Sequence, residues 1–217
     1  MKKNFKKYCL FIVIISTAFQ LYAQTIKPDL QDISRWDIIN RKAEAVNEDG
    51  KKAARFNEAP NEGLLVLKGI EFANGTIEFD VKGRNVIQQS FVGIAFHGLN
   101  DSTYDGVYFR PFNFQSGEST RRHHSVQYIS PPKYDWAVLR ETHPGKYENA
   151  LVTAIDPESW FHAKIIIKAD SIAVYVNDDK KASLTIQQIS NRTTGKIGFW
   201  VGNNSDGDFK NLSIQTK

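Results

Sequence analysis

The sequence holds one cysteine, Cys9, in 217 residues. A lone thiol excludes an internal disulfide framework and cysteine-based zinc ligation. Only one long apolar run occurs, at the extreme N-terminus, which excludes a polytopic membrane protein. HExxH, H-x-H and EF-hand spacings are missing, so no metal site is expected from a motif. There is no internal repeat and no low-complexity tract. A composition 41% hydrophobic, 12% aromatic and 24% charged also excludes a disordered tail, a collagen-like chain and a coiled coil.

The apolar run has the layout of a secretory signal. Lys2, Lys3, Lys6 and Lys7 precede residues 9–22 (CLFIVIISTAFQLY), and Ala23 supplies a small residue before Gln24. The run is short for a bilayer span, and cleavage is expected between Ala23 and Gln24. The expected destination is the periplasm or the exterior. Cys9 and four lysines leave with the signal, so 28 basic residues fall to 24, matching 24 acidic ones. The exported chain is then neutral, and nucleic-acid binding loses its compositional argument. No membrane span remains after cleavage, and a monomer is expected.

What is present is a succession of short runs rich in Val, Ile, Phe and Tyr, separated by Gly, Asn and Asp turns. They fall at 63–67, 76–81, 91–97, 106–112, 124–129, 163–168, 172–177, 196–201 and 209–214. Ile77, Phe79 and Val81 alternate with Glu78 and Asp80, the period of a half-buried strand. Asn177, Asp178 and Asp179 suit a hairpin turn. Residues 33–46 fit a short helix or a leading strand, and no long segment has helical period. The expected fold class is all-β, a sandwich or jelly roll, as one domain over residues 24–217.

One segment breaks the rhythm. Residues 113–149 hold three of the five histidines, His123, His124 and His143. They also hold Arg121, Arg122, Pro131, Pro132, Tyr134, Trp136, Arg140 and Tyr147. A chemically rich connection on a rigid sandwich is where function tends to sit. Read as a strand, 121–128 places Arg122, His124, Val126 and Tyr128 on one face. Arg121, His123, Ser125 and Gln127 then take the other.

Four stretches in order carry a family resemblance: NGTIEFDVKG, FVGIAFHGLNDSTYDGVYFRP, WFHAKIIIKADSIAVYVND and GKIGFWVGNNSDGDFKNLSI. Over residues 43–215 the chain resembles concanavalin A-like lectin/glucanase domains. It is most similar to the secreted group near laminin-G-like and 3-keto-disaccharide hydrolase domains. The resemblance implies two curved antiparallel sheets with carbohydrate bound across the concave face. The pieces RPFN (110–113) and RRHHSVQYISPPKYDWAVLRETHPGKYE (121–148) resemble a subgroup found in bacterial polysaccharide-degradation gene clusters. That neighbourhood includes dehydratases acting on uronic-acid oligosaccharides such as those of ulvan.

Three chemistries compete. The first is glycoside hydrolysis, because Glu78 and Asp80 begin the E-x-D-x-E pattern of glucanases, which fails here at Lys82. The second is lyase or dehydratase elimination from a uronic acid. A base removes the C5 proton, a cation stabilises the charge building on the carboxylate, and the C4 substituent leaves. For this reading Arg110 or Arg122 meets the carboxylate, and His124 and Tyr128 share base and acid duties. Gln127 or Asn113 orients the sugar. His124, Gln127 and Tyr128 match the subgroup's H-x-V-Q-Y pattern, and His123 ranks behind them. Tyr134, Trp136, Arg140 and Tyr147 complete the expected substrate site. The third is non-catalytic binding, with Tyr108, Phe109, Tyr128, Tyr134, Trp136 and Trp200 stacking on sugar rings. In each case the expected partner is an oligosaccharide or polysaccharide. Residues 203–208 (NNSDGD) read as a polar hairpin turn or as ligands for structural Ca2+. No other cofactor is implied.

Overall fold

The computed structural model describes residues 24–48 and 50–217, and the expected signal, 1–23, lies outside the described residues. In chain order the elements are β1 (Thr25–Ile26), β2 (Trp36–Ile39), β3 (Ala43–Glu48), β4 (Lys51–Phe56), β5 (Gly63–Phe72), β6 (Gly75–Lys82), β7 (Val92–Gly98) and β8 (Asp105–Phe109). Then come α1 (Ser119–Arg122), β9 (Val126–Ile129), α2 (Trp136–Thr142), β10 (Glu148–Asn149), β11 (Phe161–Lys168), β12 (Ser171–Val176), β13 (Leu184–Gln187), β14 (Gly195–Val201) and β15 (Gly207–Thr216).

The strands build two antiparallel sheets. The first has the order β13-β12-β11-β6-β15-β4-β3, with β1 added to β15. The second has the order β10-β9-β8-β7-β14-β5-β2. The all-β sandwich expected from the runs is what the chain forms. Alternation explains the first sheet: in β6 and β11 every second residue is buried. The buried faces meet through aromatic side chains. Phe199 of β14 stacks on Phe209 of β15 at 4.4 Å and meets Phe79 of β6 at 5.8 Å. Phe109 of β8 and Phe161 of β11 meet edge to face at 5.0 Å. Such pairs add to the hydrophobic burial that holds a sandwich lacking internal disulfides.

The second sheet departs from alternation. All residues of β7, β8 and β9 are buried, on both faces. The segment between β8 and β10, which carries the candidate site, packs on β9 through its helix α2. Residues 33–46 hold both of the expected alternatives, a short 3-10 turn, Ile33–Arg35, followed by β2 and β3. Local details differ from the sequence expectation in three places. The run at 106–112 stops at Phe109 and turns at Pro111–Asn113. The strand expected from His124 starts only at Val126. Residues 136–142 form a helix that the hydrophobic pattern did not announce. Among the described residues no helix is long and apolar enough to cross a membrane.

One buried charge ties the second sheet to the connection between β13 and β14. Asp105 is fully buried. It accepts from the Tyr128 hydroxyl at 2.6 Å, Ser190 Oγ at 2.8 Å and the Arg192 guanidinium at 3.0 Å, and His97 Nδ1 stands 3.5 Å away. Burial pushes its pKa up, but the His97, Tyr128 and Ser190 contacts and the Arg192 charge outweigh it, and the net shift is downward. A depressed carboxylate stabilises the fold above its ordinary range and loses that contribution as pH falls through the folded value. Replacing Asp105 with Asn strands the Arg192 charge. Breaking a buried pair costs about 3–5 kcal/mol, which lowers the Tm of a chain this size on the order of 10 °C. Thermal unfolding of Asp105→Asn at pH 7 checks this, and an unchanged Tm contradicts it.

Candidate functional site

The outer face of the second sheet carries one row of directly opposed residues. Across β14, β7, β8, β9 and β10 they are Trp200, Gly93, Tyr108, Gln127 and Glu148. Opposed residues on neighbouring strands share a face, so register alone aligns them. Gly93 leaves the middle of the row open. A Cβ there would lie 2.2 Å from the Val107 carbonyl oxygen and 2.7 Å from the Tyr108 Cβ. With no side chain between them, the Tyr108 and Trp200 rings approach to 4.9 Å.

Arg110 lies on the same face as Tyr108, with its Cζ 4.8 Å from that ring's centroid. It is only 5% exposed. Its guanidinium donates to the Tyr108 hydroxyl and Gln127 Oε1, each at 2.5 Å, and to the His124 carbonyl at 2.9 Å. Tyr108 is itself buried, and burial pushes its hydroxyl up to about 12. That phenol therefore stays protonated at neutral pH.

Glu148 ends the row and is 3% exposed. Arg140 grips it through two bonds, Nε to Oε1 at 3.0 Å and a terminal nitrogen to Oε2 at 2.7 Å. Arg110 stands 3.8 Å from it and His124 Nδ1 2.7 Å. Burial raises the Glu148 pKa, but the bonds and charge of Arg140, joined by His124 and Arg110, outweigh burial and hold it below the ordinary carboxylate value. The site therefore rests on a buried anion matched by surrounding cations.

Two short helical turns aim the remaining groups. Helix α2 begins where the Asp135 carboxylate caps it, accepting from Ala137 N–H at 2.9 Å and Val138 N–H at 2.8 Å. Trp136 and Arg140, four residues apart, then share a helix face, with the guanidinium 5.1 Å over the indole. The turn at α1 is continued by His124 N–H bonding the Arg121 carbonyl at 3.0 Å. Three-residue helical spacing thus brings Arg121 and His124 to the same cleft. Burial pushes the His124 pKa down, Glu148 opposes this, Arg140 and Arg110 add to it, and the net shift is downward. His124 is neutral at pH 7. Its contact with Glu148 is close but off line for a hydrogen bond. A carboxylate at that position favours the tautomer with the proton on Nδ1, which leaves the Nε2 lone pair available.

These groups bound a cleft of about 660 Å3. Its lining includes Phe91, Phe112, Trp136 and Trp200 as apolar surface and Arg110, Arg121, His124, Arg140 and Glu62 as polar groups. The size suits a small ligand. Glu62 is tied to Tyr104, whose hydroxyl donates to its Oε2 and accepts from Trp200 Nε1 at 2.8 Å. Burial and the Glu62 charge push the Tyr104 hydroxyl far up.

A family model, the 3-keto-alpha-glucoside-1,2-lyase-like domain, matches residues 29–215. The chain belongs to this family. Among curated proteins none matches it. Solved structures agree on the fold of this lyase-like domain. The carbohydrate-binding module CBM66 of Bacillus subtilis is 14% identical with TM-score 0.59, covering 86% of this chain and 99% of its own. A Bacillus subtilis protein of unknown function with a galectin-like fold is 12% identical with TM-score 0.59, covering 90% and 98%. A glycosidic hydrolase is 12% identical with TM-score 0.57, covering 90% and 97%. The chain is therefore a domain of this lyase-like family, with a fold it shares with a carbohydrate-binding module and a glycosidic hydrolase.

In this lyase-like domain the structure brings together Arg110, Asn113, His124, Gln127, Trp136 and Arg140. Asn113 is buried and donates to the His124 carbonyl at 3.3 Å. Five expected residues fall elsewhere. Tyr128 is fully buried, on the interior face of β9 opposite Val107, and bonds Asp105. Burial and the Asp105 charge push its hydroxyl far up. It does not reach the cleft. Tyr147 packs on Tyr128 at 5.7 Å. Tyr134 packs against the core with the Lys133 ammonium 4.9 Å over its ring. Arg122 turns aside to donate to the Ser116 carbonyl at 2.5 Å. His123 sits outside the cleft wall, its ring 6.2 Å from that of His124.

The acid pair Glu78 and Asp80 belongs to the outer face of the other sheet. Asp80 is held by His162 at 2.8 Å and by Asn211 at 2.5 Å, and Glu78 by Lys164 at 3.5 Å. The oxygen-rich 203–208 segment is likewise committed. Asp206 pairs with Arg84 at 2.6 Å and Asp208 with Arg55 at 2.7 Å, so the Ca2+ alternative has lost its carboxylates to arginines. Among the described residues no group of three or more His, Cys, Asp or Glu could hold a metal. Sequence reasoning missed Glu148 and Arg121, and it named Tyr108 and Trp200 only as sugar-stacking aromatics.

Removing the Glu148 charge tests the electrostatics. Glu148 raises the His124 pKa while the two arginines lower it. In Glu148→Gln, His124 should therefore titrate at lower pH than in the parent. An NMR titration of the His124 ring measures this, and an upward or absent shift contradicts the arrangement.

Proposed function

We propose that the protein is an exported carbohydrate lyase that removes a proton from carbon next to a carbonyl group and breaks the C–O bond one carbon further on. The observation that carries this reading is the His124–Glu148 pair. It places a neutral imidazole, oriented by a buried carboxylate, at the wall of a sugar-sized cleft. Abstraction of a C–H proton needs a base that is unprotonated at the working pH, and a neutral imidazole meets that condition.

The electron pair moves in a closed sequence. His124 Nε2 takes the proton, and the C–H pair enters the carbonyl to give an enolate. That pair returns to form a C=C bond as the C–O bond breaks. The leaving oxygen takes a proton from Tyr108, the protonated phenol on the cleft floor, or from solvent. Arg110 stands behind Tyr108 and lends positive charge to the site without leaving Glu148.

Two substrates share this chemistry. The family description favours a 3-keto glycoside, with the proton lost at C2 and the bond broken at C1. The arginine-rich lining favours a uronate, with the proton lost at C5 and the bond broken at C4. A sugar leaving group makes the uronate reaction a lyase step, and a hydroxyl makes it a dehydration.

The test incubates the purified protein with a 3-keto glucoside and, separately, with an oligosaccharide ending in glucuronate. Product mass and the ultraviolet absorbance of the new double bond are followed. His124→Asn should lower turnover by about 10²–10⁴-fold, the usual range for a lost general base. Tight sugar binding with no product from either substrate turns the reading to a binding module. Shortened chains without unsaturation turn it to a hydrolase.

A further inference from the structure

Three arginines line the cleft, and they are not equivalent. Arg110 is committed to Tyr108, Gln127 and the His124 carbonyl, with Glu148 nearby. Arg140 is committed to Glu148 through both carboxylate oxygens. Arg121 is half-buried in the same lining, and among the described residues its side chain has no hydrogen-bond or ion-pair partner. Its neighbour Arg122 is used up on the Ser116 carbonyl. The acid of the lining, Glu62, is bound by Tyr104.

A guanidinium cannot shed its charge by deprotonation. Arg121 is half-buried in a cleft that two other arginines also line, and its charge has no counter-ion among the described residues. Hydroxyl groups of a neutral sugar supply no opposite charge. An anion does, and a planar oxyanion can be met by two parallel N–H bonds.

We infer that Arg121 binds an anionic substituent, a carboxylate or a sulfate, on the sugar that occupies the cleft. The inference rests on reading the cleft as a carbohydrate site. It assigns the substrate's charge to a residue outside the Glu148 cluster, so the base and its orienting acid keep their arrangement whether or not the anion is present. It also separates two tasks that arginines can serve. Arg110 and Arg140 stabilise the protein's own buried carboxylate, and Arg121 selects the ligand.

Calorimetry on the full exported chain tests this with three tetrasaccharides, ending in glucuronate, in glucose 6-sulfate and in glucose. All proteins carry His124→Asn so that no probe is consumed. An anionic probe should bind about 10–100-fold more tightly than the glucose-ended one, the range of a charge-assisted contact. Which anion gains more identifies carboxylate or sulfate as the group recognised. In Arg121→Gln the ratio of affinities should fall towards one, and Arg121→Lys should keep part of it. Binding of all three probes with no preference overturns the inference and leaves the carbohydrate reading standing. A preference that survives Arg121→Gln also overturns it. Failure of every probe to bind overturns the carbohydrate reading itself.

Discussion

The candidate site depends on a carboxylate that is almost wholly buried. Glu148 is 3% exposed, and an isolated buried anion would be too costly to keep. Its cost is met by the two bonds from Arg140 and by the charge of Arg110 at 3.8 Å, and His124 Nδ1 lies 2.7 Å away. Each of those groups comes from a different local structure. Arg140 needs the capped helix, Arg110 needs the end of β8, and His124 needs the turn after α1. Two cations and one imidazole from three separately folded pieces therefore meet at one carboxylate. It also leaves His124 in a setting where burial and two arginines keep it neutral.

Beneath the cluster lies a simpler constraint, the register of five strands. Trp200, Gly93, Tyr108, Gln127 and Glu148 are aligned by the hydrogen-bonded pairing of their strands. A shift of one residue in any strand would send its member to the interior. The interior row shows the alternative directly. Phe199, Ile94, Val107 and Tyr128 are the corresponding set on the other face, and they are core. Gly93 matters because it is the one member of the outer row without a side chain. The site's aromatic floor exists because that position is empty.

The fold was legible because its strands announce themselves with period two. In β6 the alternation of Ile77, Phe79 and Val81 with Glu78 and Asp80 matches the observed burial residue by residue. The site was legible only in composition. The segment with the histidines and arginines does line the cleft, but its residues were assigned to faces by assuming an extended chain. Residues 119–125 turn helically instead, and four residues of helix are too few to show a period. That error put Arg122 in place of Arg121. It also linked His124 with Tyr128, when the side chain on the site's face of β9 is Gln127. Glu148 was hidden because its strand is two residues long. One missed signal was readable: Asp135 just before WAVLRET is a helix cap followed by good helix formers.

The fold is shared with both hydrolase-like proteins and binding modules, so it cannot by itself decide between chemistry and binding. The decision rests on whether His124 acts as a base. The most direct measurement compares two curves on the same protein. One is the NMR titration of the His124 ring. The other is the pH dependence of kcat/KM for sugar elimination on its acid side. The account predicts one shared midpoint, below the 6.5 ordinary for histidine. Turnover that persists where His124 is fully protonated would contradict it.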